Sequence, residues 1–241
     1  MSQALLQNPH GVLSAEEEAA FRASIAGVRR AAAAALEGLQ GSANVVRFIA
    51  HLHRAVDEVT QRAWQAGPAP DCRAGCAHCC SLRVEATAPE VFRIARKLRV
   101  QPEAELAALV ERLRLRVLAA RSGLPGTRRL DCTFLASGAL CSIYEQRPAA
   151  CRKAHSLSVA ACEAHAAAIP QNLSLVLDAE ALMVGTAEAY RDVHLAASAH
   201  ELLEAILLAL SDATAEARWA AGVDVFASAS AAAGAPGAPT G

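Results

Sequence analysis

A run of four cysteines within nine positions constrains this chain more than any other feature of its sequence. The stretch "CRAGCAHCC" places them at Cys72, Cys76, Cys79 and Cys80. With 8 cysteines in 241 residues, nine positions would hold only about 0.3 by chance. Their spacing would also fit one side of a helix that buries small thiols. Gly75 inside the run and "GPAPD" before it favour a turn-rich knuckle instead, and thiolates clustered in such a knuckle are typical ligands of Zn²⁺ or of an iron–sulfur cluster.

The adjacent pair Cys79 and Cys80 sets a second condition. Side chains of neighbouring residues diverge, so a single ion is not expected to bind both thiols. Either two neighbouring metal centres each bind one of these thiols, or one centre binds one of them and the other is a reactive thiol. Eight thiols suffice for two sets of four, because the chain has four more cysteines, Cys132, Cys141, Cys151 and Cys162.

Three histidines lie near these cysteines in the sequence, His78, His155 and His165. They are possible substitute ligands. Because the thiols alone are sufficient, we predict that these histidines lie on the surface or support the ligands from outside the coordination shell.

Charge and composition indicate the compartment of the protein and the kinds of partner that it can bind. The net charge is −1, and we find no signal peptide and no apolar run long enough to span a bilayer, so we expect a cytoplasmic protein without membrane or nucleic-acid partners. Thiols stay reduced in the cytoplasm, which favours metal or redox chemistry over disulfides. Residues 91–129 are basic and residues 163–224 are acidic. These are either solvated helix faces or a surface for a protein partner.

The pattern of apolar and capping residues predicts a mainly α protein with an irregular cysteine-rich module and at most a small β-hairpin. Capping boxes at Ser14 and Thr87 predict two helix starts. Further helices are predicted at 44–64, at 102–123 and between 170 and 222, with a loop at 122–130 and the hairpin within 131–145. The predicted segments are an N-terminal helical segment (1–66), the cysteine module (67–166), a C-terminal helical segment (167–223) and a disordered tail (224–241).

The cysteine spacing resembles that of the YkgJ-type cysteine-cluster family, which is described as zinc- or iron-chelating and is often labelled an Fe–S oxidoreductase. The resemblance rests on "CRAGCAHCC" and on "CTFLASGALCSIYEQRPAACR", and it covers about residues 70–165. It implies that the metal ligands are Cys72, Cys76, Cys79, Cys80, Cys132, Cys141 and Cys151. Cys162 matches only a subset of the family pattern. A related branch includes flagellin lysine methylases, but the long helical segments here show no link to it.

The segment "YEQRPAACR" suggests how the site is supported. Tyr144 could pack beside the metal, while Arg147 or Arg152 could donate hydrogen bonds to thiolate sulfur and offset negative charge. The alternative is an ordinary surface ion pair with Glu145. Pro148 stiffens the approach to Cys151.

Three functions are compatible with these features. The first is a metal-binding protein that chelates zinc or iron, including iron in a 4Fe–4S cluster. The second is an iron–sulfur enzyme of the oxidoreductase or protein-lysine methyltransferase type, and the third is a metal-stapled protein-interaction module. We favour metal binding because an all-thiolate set is typical of closed centres, whereas catalytic zinc keeps an open position. No Gly-rich phosphate loop or nucleotide fingerprint is present.

Overall fold

The computed structural model describes residues 13–122 and 130–227 and confirms a mainly α protein. Within those ranges, nine α-helices accompany two short antiparallel sheets of two strands each. The helices are α1 (Ala15–Glu37), α2 (Ser42–Ala66), α3 (Ala88–Leu98), α4 (Glu103–Arg121), α5 (Ala149–Lys153), α6 (Val159–Glu163), α7 (Leu173–Asp192), α8 (Leu202–Ser211) and α9 (Ala215–Ala220). The strands are β1 (Glu85–Thr87), β2 (Leu135–Ala136), β3 (Leu140–Cys141) and β4 (Ala199–Glu201). No helix in these ranges is long and apolar enough to cross a membrane.

Local sequence signals account for where the first helices begin. Ser14 and Glu17 form a reciprocal capping box at the start of α1, and Thr87 and Glu90 form another at the start of α3. The predicted hairpin is also present, with β2 paired to β3. The predicted loop at 122–130 lies almost wholly outside the described residues.

One long-range feature of the fold, a pair of strands, has no local signal in the sequence. Strand β1 pairs with β4, so that Ala86 lies opposite His200. The pairing continues where the Leu202 amide donates to the Val84 carbonyl at 2.9 Å. This small sheet fastens the chain just after the cysteine knuckle to the C-terminal helices.

Aromatic side chains join the C-terminal helices to α3. The Phe92 ring lies 5.5 Å from Trp219 and 5.3 Å from Phe226, measured between ring centroids. Val225 and Phe226 are both buried. The predicted start of a disordered tail at residue 224 is therefore wrong, because these two side chains complete the core. Residues 228–241 of that predicted tail lie outside the described residues.

Helices α1 and α7 pack closely because α7 carries a glycine at the contact. A Cβ atom placed on Gly185 would lie 2.7 Å from the Ile25 carbonyl oxygen and 2.7 Å from the Val28 Cβ. Both distances are far below van der Waals contact. The glycine therefore sets the separation of the two helices.

The Glu90 carboxylate joins three elements at one buried point. Its Oε1 accepts hydrogen bonds from His53 Nε2 in α2 at 3.1 Å and from the Ala149 amide at the start of α5 at 2.7 Å. Its Oε2 accepts from the Thr87 amide and hydroxyl, both at 2.9 Å. Burial alone would raise the pKa of Glu90, but these hydrogen bonds outweigh it and the pKa is lowered. Glu90 is therefore ionised at neutral pH and holds the N-terminus of the helix that carries Cys151.

We predict that Gly185→Ala lowers the free energy of unfolding by about 1–2 kcal/mol, because the new methyl group must push α1 away from α7. Gly27→Ala is the matched control. It lies in α1 with no atom within 4 Å of an added Cβ, so it should leave stability unchanged or raise it by up to about 1 kcal/mol. Urea unfolding followed by circular dichroism measures both, and equal effects of the two substitutions would contradict the close helix contact.

We predict that Glu90→Gln lowers the free energy of unfolding at pH 7 by about 1.5–3 kcal/mol, because it replaces charge-assisted hydrogen bonds with neutral ones. The folded-state pKa of Glu90 is lowered, so its contribution is complete above the unfolded pKa of about 4.3 and is lost as the pH falls through the folded value. The difference from wild type should shrink below about pH 4.

Glu58→Gln, an exposed substitution in α2, serves as the control over the same pH series. A difference between Glu90→Gln and wild type that stays constant from pH 7 to acid would show that the Glu90 charge does not stabilise the fold.

Candidate metal centre

The first four cysteines lie in a knuckle and not in an α-helix, as predicted. Gly75 has φ +83°, a left-handed conformation that favours glycine. The Cys76 amide donates a hydrogen bond to the Arg73 carbonyl at 2.9 Å, which closes the turn. Cys79 and Cys80 follow in a 3₁₀ turn, His78–Ser81. These tight turns keep the four cysteines on one short, folded segment of the backbone.

The β2–β3 hairpin lies beside this knuckle. The Cys132 amide donates to the Cys80 carbonyl at 2.9 Å, and Cys141 pairs with Leu135 across the hairpin. A Cβ on Gly75 would be 3.4 Å from the Gly138 carbonyl oxygen at the hairpin turn. These contacts bring Cys132 and Cys141 to the side of Cys80.

Arg116 in α4 fixes the chain that leads into the hairpin. Its guanidinium donates to the Leu130 carbonyl at 2.6 Å and to the Asp131 carbonyl at 3.2 Å. No sequence pattern predicts this role for Arg116, because the partners are backbone groups that become neighbours only in the folded chain.

Arg152 fixes the turn that precedes Cys151. Its guanidinium donates to Asp57 Oδ2 at 2.5 Å, to the Glu145 carbonyl at 2.7 Å and to the Arg147 carbonyl at 2.9 Å. Three of its five N–H donors are therefore engaged by a carboxylate and two backbone carbonyls, so Arg152 positions α5. Donation from Arg152 to a thiolate stays a prediction.

Helix α6 brings Cys162 to the other side of the knuckle. The Asp71 amide donates to the Ser156 carbonyl at 2.9 Å, and the Asp71 carboxylate accepts from the Val159 amide at 3.0 Å. The Cys72 thiol lies 4.0 Å from the same Ser156 carbonyl oxygen, and α6 contacts the 3₁₀ turn. No local pattern predicts the role of Asp71, because Val159 is 88 residues away.

Electrostatic coupling defines a first set of thiols around Cys72, which we call the outer group. The pKa of the Cys72 thiol is raised, first by partial desolvation and then by the charges of neighbouring thiols. The outer group consists of Cys72, Cys76, Cys79 and Cys162.

A second set surrounds Cys151, and we call it the inner group. Burial raises the pKa of Cys151 to about 12, and the charges of Cys132, Cys79 and Cys141 contribute further. Cys80 is coupled to the same neighbours. Cys79 thus interacts with both groups, and we place it in the outer one because it is exposed, as Cys72 is. The inner group consists of Cys80, Cys132, Cys141 and Cys151.

The prediction that Cys79 and Cys80 serve different centres stays a prediction. Interaction between the two side chains raises the pKa of Cys79 and lowers the pKa of Cys80. Rotation about χ1 determines how closely two adjacent sulfur atoms approach each other. The separation of the two residues into different groups therefore depends on their other neighbours.

Arg147 places a positive charge beside both groups. Its guanidinium carbon lies 4.1 Å from the centre of the Tyr144 ring, and its charge lowers the pKa of Cys79 and of Cys151. Its Nε is buried and has no hydrogen-bond partner among the described residues. The alternative surface pair with Glu145 is absent from that part of the chain. Arg147 is therefore the cation that can offset thiolate charge.

The three histidines have different surroundings. His155 is buried, where its Nδ1 donates to the Lys153 carbonyl at 2.9 Å and its Nε2 accepts from the Asn172 amide at 2.8 Å. Both ring nitrogens are occupied, so His155 supports the backbone. His78 is half-buried in the 3₁₀ turn, and His165 is exposed.

All eight cysteines are free thiols, and seven of them line one groove with a volume of about 2080 Å³. Cys162 is the exception. Within residues 13–122 and 130–227, no three Cys, His, Asp or Glu side chains are arranged so that they could hold a metal ion. The donor chemistry nevertheless fits zinc or iron, because two neighbouring sets of four reduced thiols match four-thiolate coordination. The thiols must lose their protons when they bind a metal.

Comparisons with known proteins agree with this chemistry. A family model named CxxCxxCC, described as a "Putative zinc- or iron-chelating domain", matches residues 71–171, a range that holds all eight cysteines. Searches of the curated proteins and of the solved structures return no match. The family description supports metal binding in general. Residues 71–171 of this chain are therefore similar to the CxxCxxCC domain.

Proposed function

We propose that this protein chelates zinc or iron at two neighbouring four-thiolate centres, one in the outer group and one in the inner group. The observation that carries the proposal is the gathering of eight free thiols around one knuckle, where seven of them line one groove and α6, which carries Cys162, contacts the 3₁₀ turn. Four thiolates satisfy Zn²⁺ completely, and four also hold an iron–sulfur cluster. A bound metal would supply the charge that keeps the thiolates together.

The surrounding residues fit this role. A four-thiolate Zn²⁺ centre carries a net charge of about −2, and the buried side of Arg147 lies where it offsets part of that charge. Glu90 accepts a hydrogen bond from the first residue of α5, and Arg152 within α5 donates to the preceding turn, so that Cys151 is held on a fixed element. Such support from outside the coordination shell commonly determines metal affinity.

The fold does not depend on the metal for its core. A continuous cluster of buried side chains spans α2, α3, α7, α8 and α9, and it includes Phe92, Tyr190 and Trp219. Metal binding therefore completes a cysteine module attached to a helical core, and losing one centre should leave the helices folded.

We predict that Cys76→Ser and Cys132→Ser each remove one of two centres, because each takes a ligand from a different group. The metal content of protein purified without oxygen should fall to about half in each variant and further in the double variant. Mass spectrometry of the metals measures the content, and a brown colour distinguishes iron–sulfur clusters from colourless zinc.

Ala74→Ser is the matched control, since it introduces the same hydroxyl at an exposed position of the knuckle. It should retain the wild-type metal content. Metal content unchanged in both cysteine variants, or lost equally in the control, would overturn the proposal.

A further inference from the structure

The two groups of thiols differ in how far they are open to solvent. Cys72 and Cys79 of the outer group are exposed, whereas all four thiols of the inner group are partly buried. Cys132 and Cys141 pack against the hydrophobic core, next to the buried side chains of Phe134 and Ile143. A ligand from solution can therefore reach the outer group first.

The backbone that carries the groups differs in the same way. In the inner group, Cys132 and Cys141 lie at the hairpin and Cys151 lies in α5, elements that Arg116, Arg152 and Glu90 fasten to the rest of the fold. In the outer group, Cys72 lies within exposed residues 71–75 and Cys162 lies in α6, a helix of five residues, whereas Cys79 shares its 3₁₀ turn with Cys80. Residues 71–75 are held mainly through Asp71, whose amide donates to the Ser156 carbonyl and whose carboxylate accepts from the Val159 amide. Movement of Cys72 therefore disturbs less of the fold than movement of Cys132 or Cys151.

The groove offers an approach to the outer group. Four large apolar side chains are exposed along its lining, those of Trp64, Leu82, Leu140 and Tyr144. Arg73, next to Cys72, also lines it and makes no ion pair within the described part of the chain. An exposed apolar rim with an unpaired guanidinium is suited to contact with an anionic ligand from outside.

We infer that the outer group is an exchange site, which passes its ion to a competing ligand while the inner group keeps its own. The inference rests on the proposed function. In the exchange, a bond forms between the metal and an incoming thiolate as the bond between the metal and Cys72 Sγ breaks. The proton that the incoming thiol releases passes to Cys72, and the oxidation state of the metal does not change. Cys72 is the first ligand to leave because it is exposed and lies on the exposed segment 71–75, whereas Cys79, which is also exposed, lies in the 3₁₀ turn.

The test uses full-length protein reconstituted with Zn²⁺ and mixed with an excess of the chromophoric chelator 4-(2-pyridylazo)resorcinol. Two ions should leave in two phases of equal amplitude, with rates at least about tenfold apart. Cys72→Ser should remove the fast phase and keep the slow one, and Cys141→Ser should do the reverse. Far-ultraviolet circular dichroism checks that each variant is folded, and Cys162→Ser provides a second test of the outer group.

Three other outcomes would contradict the exchange site, and a fourth would contradict the proposed function. Two ions that leave at one rate, or a fast phase that survives Cys72→Ser and vanishes in Cys141→Ser, would overturn the exchange site and leave chelation standing. One bound ion per chain would also overturn it, because the inference needs two centres. A chain that binds no Zn²⁺ and holds no iron as purified would contradict the proposed function itself.

Discussion

The buried carboxylate of Glu90 is the interaction on which the cysteine module depends. It lies where α2, α3 and α5 meet, and it accepts hydrogen bonds from His53 in α2, from Thr87 just before α3 and from Ala149 at the start of α5. Removing it would leave donors from His53 and Ala149 unsatisfied inside the protein, which is costly in a low-dielectric interior. The carboxylate thereby couples the helical core to the position of Cys151, on the inner side of the groove.

The arrangement explains how an irregular cysteine-rich segment is held without long strands or helices of its own. The knuckle, the hairpin and α6 are joined by backbone hydrogen bonds, such as those from Cys132 to Cys80 and from Asp71 to Ser156. The β1–β4 pair and α5 then fasten the segment to the helices. The helical core provides rigidity, while the short segments provide close spacing of thiols. A metal bound between them would therefore be held firmly on the inner side and loosely on the outer side.

Sequence reasoning succeeded where the signal was local and failed where it depended on distant partners. The capping boxes of Ser14 and Thr87 and the turn at Gly75 are consequences of a few neighbouring residues, so the sequence predicts them correctly. The capping box identifies Glu90 as well, but its bonds to His53 and Ala149 require the folded arrangement. The burial of Phe226 has no local signal. The Ala- and Gly-rich sequence beside it does not indicate that Phe92 is the residue that buries it.

At the site, too, the sequence predicts what depends on local spacing and misses what depends on distant contacts. Their number and spacing predict thiolate ligands, and the structure gathers Cys162 with the knuckle through contacts that no spacing reveals. Whether Cys79 and Cys80 bind different centres stays a prediction, because the rotation of each thiol depends on its neighbours in space.

X-ray absorption spectroscopy of the protein as purified, combined with the number of metal atoms per chain, tests the central claim most directly. Two four-thiolate centres predict a first shell in which sulfur is the only protein ligand at every zinc or iron atom. They also predict either two zinc ions or two iron–sulfur clusters per chain. A shell dominated by nitrogen or oxygen, or a single centre per chain with four thiols free to react, would contradict the account.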